Sequence, residues 1–405
     1  MAIVQRLRRF MRRKTTNKSK QTTQSSCGLE LPASLWISNI FPYLDRNSQN
    51  KLCEASRDVY FATKLLNLQQ EWPSGTIRIK KIILAASFSP YGNELAFVTS
   101  NSKSVKVYSR RHGYEQELRG HKGQCSDVTY APSGNFLVSC SRVDGTVRLW
   151  RKEGFDDQMG SKSKKNHYVN YRILNTKVFG TLHVCVSPNN EDIASYGDDG
   201  KIYVSNPKSG KLIAHTSWRS RLFIDCFNCV DFSTERDSTL AHTLNNQNVR
   251  LWNYRTQTKV ELEDNDATRM VDYAAYVTSL KFVRMSNGDA SEPREYLAVG
   301  CRVALVKLWD LRDYLCVLKI HLGTGWSSVN ELVFNKEGTQ MACTGGGSSL
   351  RVFSLVPEGG YIGKIENHKD RIKSLAFSPD GKTLASGSSD RTLKLWNVLQ
   401  VPDIN

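Results

Sequence analysis

Histidine, serine and aspartate are the side chains of a nucleophilic relay, and the C-terminal part of the chain brings His368, Ser386 and Asp390 close together in sequence. In an acyl-transferring enzyme such a set passes the serine proton to the imidazole while the carboxylate orients the ring. The surroundings point to another use. There is no Gly-x-Ser-x-Gly elbow, no phosphate loop and no paired set of metal ligands. A tryptophan, Trp396, completes the group, and residues 361–397 read as three short strands. Ile372, Leu375, Ala376 and Phe377 lie in an apolar run that Ser378-Pro379-Asp380-Gly381 ends, a turn signal. Thr383–Ser386 forms a second run and Thr392–Trp396 alternates as a strand does. Three short strands between tight turns do not fold alone, so the unit must belong to a series.

Aligning strand ends along the chain gives seven copies, whose third strands end near Tyr108, Trp150, Ser205, Trp252, Trp309, Phe353 and Trp396. The second copy is nearly as complete as the last, with His121, Ser139, Asp144 and Trp150. The others are degenerate. The third keeps Ser195 and Asp199 with Ser205 in the tryptophan place. The fourth has Trp252 with Asn246 for the aspartate, and the fifth has Trp309 with Val303 there.

These offsets recur in WD-repeat proteins, and residues 76–398 resemble that family. The resemblance implies a mainly β fold, a seven-bladed WD-repeat β-propeller with 76–80 as the strand that closes the ring. It also implies that Trp, Ser, His and Asp hydrogen-bond in one row across a blade. His368, Ser386, Asp390 and Trp396, and His121, Ser139, Asp144 and Trp150, would then be structural tetrads with no buried donor left unpaired.

The chain has 405 residues and a formal net charge of +17. Residues 1–20 carry eight Lys or Arg and no acid, and about +10 falls on the propeller from residue 73 onward. Both segments favour anionic partners. No apolar run approaches the ~20 residues that span a bilayer. The ten cysteines form no disulfide framework. The one CxxC, Cys226 to Cys229, falls in an expected strand that points its thiols to opposite faces, which argues against zinc.

Residues 1–28 are basic, then Ser/Thr/Gln-rich, with little to bury. They suit a solvated or nuclear-import tail, a membrane-surface or nucleic-acid contact, or an organelle transit peptide. Residues 29–65 have helical spacing and are too few to bury a core alone. They resemble an F-box without a gap: Leu31-Pro32, Ile40-Phe41, Tyr43-Leu44-Asp45, Leu52-Cys53 and Ala55-Ser56-Arg57, with Gln49 where that family carries an apolar residue. The fold expected is therefore a small all-α F-box-like segment before the propeller. The resemblance implies docking on a Skp-type adaptor through Leu31, Pro32, Ile40, Phe41, Leu44 and Leu52. A helical hairpin capping the propeller is the other reading. The linker, 66–75, is shorter than in the best-known F-box and WD-repeat proteins.

Lys152–Tyr168 holds a basic insertion and 261–266 an acidic one; each suits either a contact site or a solvated loop. Projecting the repeats onto the last one places Arg142, Arg302, Arg371 and Lys373 beside the tetrad His and Asp positions, with Asp198 and His183 in the third copy. Around one channel mouth these cations suit an acidic or phosphorylated peptide, or form a rim of ordinary surface charge.

The resemblance implies a substrate-recognition subunit of an SCF (Skp–cullin–F-box) ubiquitin ligase, with adaptor and cullin as partners and a target protein on the propeller face. The chain would do no chemistry and need no metal or cofactor, because proximity to the charged ubiquitin-conjugating enzyme supplies the rate. The alternative is a basic WD-repeat scaffold that binds protein or nucleic acid without a ligase. Both readings place the protein in the cytoplasm or nucleus; a transit peptide at 1–28 would send it to an organelle.

Overall fold

The structure, a computed structural model, describes residues 75–110, 114–152, 167–175, 180–216, 230–244, 248–262, 277–285, 293–302, 304–322, 328–355 and 361–398. The basic tail, the F-box-like segment, Cys226 to Cys229, Asn246 and Val303 lie outside these residues.

Among the described residues, twenty-eight strands form seven four-stranded antiparallel sheets. The first strand, β1 (Gly75–Arg78), belongs to the last sheet. Blade 1 is β2 (Ile83–Phe88), β3 (Glu94–Thr99), β4 (Ser104–Ser109) and β5 (Tyr114–Arg119). Blade 2 is β6 (Cys125–Tyr130), β7 (Phe136–Ser141), β8 (Thr146–Lys152) and β9 (Tyr168–Asn175). Blade 3 is β10 (Thr181–Val186), β11 (Ile193–Gly197), β12 (Ile202–Ser205) and β13 (Leu212–His215). Blade 4 is β14 (Val230–Phe232), β15 (Thr239–Leu244), β16 (Asn248–Asn253) and β17 (Lys259–Leu262). Blade 5 is β18 (Val277–Met285), β19 (Arg294–Cys301), β20 (Leu305–Asp310) and β21 (Leu315–His321). Blade 6 is β22 (Glu331–Phe334), β23 (Gln340–Thr344), β24 (Ser349–Ser354) and β25 (Tyr361–Glu366). Blade 7 is β26 (Ile372–Phe377), β27 (Thr383–Ser388), β28 (Thr392–Asn397) and β1.

Turn chemistry sets these strands. At Ser378–Gly381 the Ser378 carbonyl accepts from the Gly381 amide at 2.9 Å, and Ser378 Oγ accepts from the Thr383 amide at 2.9 Å. Gly381 has φ +68°, a conformation a side chain would strain.

The inner strands contact one another in a closed circuit, β2 to β6, β10, β14, β18, β22, β26 and back to β2. Each blade is apolar on both faces. Glu94–Thr99 and Thr383–Ser388 are buried along their whole length. The hydrophobic core is accordingly split into seven clusters, one at each seam between neighbouring blades. The ring closes through β1, which pairs antiparallel with β28, Ile77 opposite Leu393 and Thr76 opposite Lys394. Residues from both ends of the described chain therefore complete one blade. Covering the open edge of β28 in this way removes the seam at which a ring would part.

Candidate functional site

The inner strands of all seven blades line one central channel of about 590 Å³. Side chains on these strands satisfy backbone amides of the next blade. Asp127 Oδ2 accepts from Val184 N at 3.0 Å, Asp231 Oδ2 from Phe282 N at 2.9 Å, and Glu331 Oε2 from Leu375 N at 3.0 Å. Ser374 Oγ accepts from Ala86 N at 2.8 Å. His183 Nδ1 lies 2.6 Å from Asp127, and Lys281 Nζ lies 2.8 Å from Asp231. The channel wall is thus stitched by acids whose lone pairs are used between blades, a job for which unpaired strand edges create the need. A polar residue inside an otherwise apolar inner strand was the available sequence signal.

The two complete repeats assemble their rows. In blade 7, Trp396 Nε1 donates to Ser386 Oγ at 2.7 Å, Ser386 Oγ meets His368 Nε2 at 2.7 Å, and His368 Nδ1 meets Asp390 Oδ2 at 2.8 Å. In blade 2 the matching distances for Trp150, Ser139, His121 and Asp144 are 2.8, 2.9 and 3.0 Å. A protease relay has the same Ser–His–Asp order. Here the serine oxygens are wholly buried and already accept an indole N–H, so no substrate carbonyl can reach them. Burial pushes both imidazoles below the ordinary histidine pKa, against the opposing pull of the aspartates. Burial alone would raise Asp144 and Asp390. The hydroxyls of Thr146 and Thr392, with the Lys122 and Lys369 amides, outweigh it and hold both carboxyls at about 2. The two threonines were missed in the sequence, although each stands two residues after its aspartate.

The degenerate blades show what the missing residues did. In blade 3, Asp199 Oδ2 takes the Tyr203 hydroxyl at 2.9 Å. In blade 5, Val299 stands where blade 7 has Ser386, and the buried Trp309 Nε1 finds no acceptor among the described residues. In blade 4 that place is taken by His242, a residue the repeat pattern did not single out.

The four cations read as a single cluster are placed differently from one another. Arg142 and Lys373 line the channel; Arg302 and Arg371 are exposed but are not among its lining residues. Arg142 Nε pairs with Asp198 at 3.0 Å, across the seam to blade 3. A larger basic group lies on the loops of blades 7, 1 and 2. Lys81, Lys103, Lys122, Lys369, Arg371 and Arg391 are all exposed there. Hydrogen bonds join these loops into one arc. Ser389 N donates to the Arg371 carbonyl at 2.8 Å and Ile79 N to the Arg391 carbonyl at 2.8 Å. Lys81 Nζ donates to the Asn101 carbonyl at 2.7 Å, and Cys125 N to the Ser102 carbonyl at 2.8 Å. Asp144 and Asp390, the tetrad acids beside this arc, already accept several hydrogen bonds each. The exposed Asp370, between Lys369 and Arg371, is an acid within the arc, and the six cations leave the surface net positive and suited to carboxylate or phosphate oxygens. Linear reading missed it because its members come from both ends of the chain.

Other buried acids are structural. Glu94 Oε2 accepts from the Tyr168 hydroxyl at 2.8 Å, and Oε1 pairs with Lys152 at 2.8 Å, which locks blade 1 to blade 2. Among the described residues no group of three or more His, Cys, Asp or Glu could hold a metal ion, and no helix is long and apolar enough to cross a membrane. Gly345–Gly347 lies between β23 and β24, a strand-to-strand turn.

A family model described as "WD domain, G-beta repeat" matches residues 113–151 and 359–397. These are the two stretches with complete rows, each running from one blade's outer strand through three strands of the next. The chain is 24% identical over 340 residues to a nuclear distribution protein PAC1 of Arthroderma benhamiae, covering 78% of this chain and 59% of that protein. It is 24% identical over 300 residues to the B-type cell cycle switch protein ccs52B of Medicago truncatula, covering 74% and 53%. A guanine nucleotide-binding protein subunit beta of Oryza sativa subsp. japonica is 22% identical over 305 residues, 70% of each chain. The chain thus spans less than two thirds of the length of the first two relatives.

Proposed function

We propose that the chain, which is a seven-bladed WD-repeat β-propeller, is the substrate-recognition subunit of an SCF-type ubiquitin ligase. Residues 29–65 hold the Skp-type adaptor through Leu31, Pro32, Ile40, Phe41, Leu44 and Leu52. The propeller holds a target protein by an acidic or phosphorylated segment on the arc of blades 7, 1 and 2, to which Arg371 belongs, with Arg142, Arg302 and Lys373 as further cations. The observation that carries the reading is the gapless F-box-like run ahead of a cationic propeller surface. An aliphatic and aromatic anchor cluster is what a helix-in-groove contact needs. The chain itself does no chemistry. Two similar proteins are named as a guanine nucleotide-binding protein subunit and as a cofactor of the APC complex, names of parts of assemblies.

The test is co-purification of the full chain with its host's Skp-type adaptor and cullin, beside a Leu31→Ala/Pro32→Ala/Ile40→Ala variant. Capture by the wild type and loss in a variant of unchanged melting temperature supports the ligase. No capture by either folded protein rejects it. The net charge of +17 favours a second reading, a basic WD-repeat scaffold for protein or nucleic-acid partners without a ligase. Polynucleotide binding that falls steeply with salt would select it.

A further inference from the structure

The outer strand of blade 2 differs from its counterparts. β9 has eight residues, against four to seven in the other outer strands, and like them its outer edge pairs with no strand among the described residues. Three of its large apolar side chains face solvent, Val169 at 40%, Tyr171 at 45% and Ile173 at 44% exposure. Val169 lies opposite Arg151 and Ile173 opposite Arg148. Tyr171 is the extra residue of a bulge between them. The bulge turns its ring onto two guanidinium groups, Arg151 and Arg172, each 5.6 Å from the ring centroid. Neither β8 nor β9 contains an acidic residue.

We infer that this rim is a docking surface for an extended acidic segment of a partner protein, added along the edge of β9. Unpaired edge amides and carbonyls supply main-chain bonds, and side chains alternating in register supply selectivity. Tyrosine and arginine are the residues that carry binding energy at interfaces. Charge decides the occupant. A second copy of this chain would set arginines against arginines, whereas a carboxylate-bearing strand meets them with the opposite sign. Two of the three apolar groups are aliphatic and offer bases no stacking face, which disfavours a single-stranded nucleic acid. This site lies on blade 2's outer edge, away from the loop arc, and stands or falls independently of the ligase reading.

The test is selection of a displayed random 12-residue peptide library on the full chain. The expected peptides are acidic with alternating apolar residues. Their synthetic forms protect the amides of 169–173 from hydrogen exchange. Their affinity falls about tenfold or more with Tyr171→Ala and with Arg151→Glu/Arg172→Glu, at unchanged melting temperature. No enrichment, neutral or basic peptides, or protection confined to the loop arc would overturn the assignment. So would a dimer in sedimentation that Ile173→Lys dissolves, which gives the surface to a second copy. Oligonucleotide binding abolished by Tyr171→Ala would give it to nucleic acid.

Discussion

Arg142 Nε lies 3.0 Å from Asp198 Oδ2, so a channel-mouth arginine of blade 2 is tied to a carboxylate of blade 3. The pair is partly exposed and adds little to stability. It does set the charge at one end of the basic arc. Asp198→Asn removes the acid that pairs with this guanidinium among the described residues and leaves a neutral side chain of the same shape. The affinity of a glutamate-rich or phosphorylated peptide should then rise about two- to fivefold at low salt, as a gain of under 1 kcal/mol would give. Lys103→Glu/Arg391→Glu should lower it, with a larger effect than Arg302→Ala. Fluorescence anisotropy at two salt concentrations measures both. A fall in affinity on Asp198→Asn would reject the arc as the binding surface.

Ser386→Ala removes the oxygen that both Trp396 Nε1 and His368 Nε2 use. The buried His368 and the partly buried Trp396 each lose a partner at about 1–3 kcal/mol, so a loss of roughly 2–6 kcal/mol is expected in denaturant unfolding. Ser139→Ala should behave alike in blade 2. Val299→Ala in blade 5 should cost only the smaller transfer and cavity terms of two methyl groups, since Trp309 Nε1 has no acceptor to lose among the described residues. Equal losses at Ser386 and Val299 would show that the rows do not stabilise their blades.

The repeats were legible because two of them keep the full polar set at nearly the same offsets, with one extra residue before Asp144. Strand ends carried the period through the other five. The rows followed, since a Ser, a His and an Asp at those offsets must meet once the strands pair. Three features were not legible. His242 replaces a serine in the register, and only the pairing of Val230 with His242 and Leu240 with Trp252 reveals it. The basic arc depends on ring closure, which brings Arg391 beside Ile79 and so places the loops of blade 7 next to those of blade 1. Arg142 looked like a ligand-facing cation from its offset alone, and its pairing with Asp198 needed the geometry of the neighbouring blade.

His242 makes the fold sensitive to acid. Burial pulls its pKa down to about 4, against a smaller opposing contribution from the Thr243 carbonyl. The unfolded chain has the ordinary value near 6.5, so it binds the proton first. The stabilisation is therefore complete above pH ~6.5 and is lost as pH falls toward 4, by on the order of 3 kcal/mol. His121 and His368 are depressed in the same direction and add to the slope. Asp144 and Asp390, held at about 2, add a second loss between pH ~4 and 2. Unfolding free energy measured from pH 7 to 4 should fall, and His242→Gln should flatten that fall. An unchanged slope in the variant would assign the acid sensitivity elsewhere.

Ring closure rests on four residues, and this gives the sharpest test of the fold. Gly75, Thr76, Ile77 and Arg78 pair with Leu395, Lys394, Leu393 and Thr392, and Ile79 N donates to the Arg391 carbonyl at 2.8 Å. Ile79 and Ile83 enter the core cluster of the blade 7 and blade 1 seam, against Ala385, Leu393 and Leu395. Removing residues 1–81 deletes the strand, opens the edge of β28 and uncovers that cluster. The melting temperature should drop by several degrees or more, with aggregation through the open edge. Removing residues 1–28 leaves every one of these contacts in place and should leave the melting temperature unchanged. Ile77→Pro tests the strand alone, because proline gives up the backbone donor and does not fit a paired strand; a lower melting temperature is expected. Equal melting of the two truncations, with Ile77→Pro neutral, would mean that the ring is held shut by its seams alone.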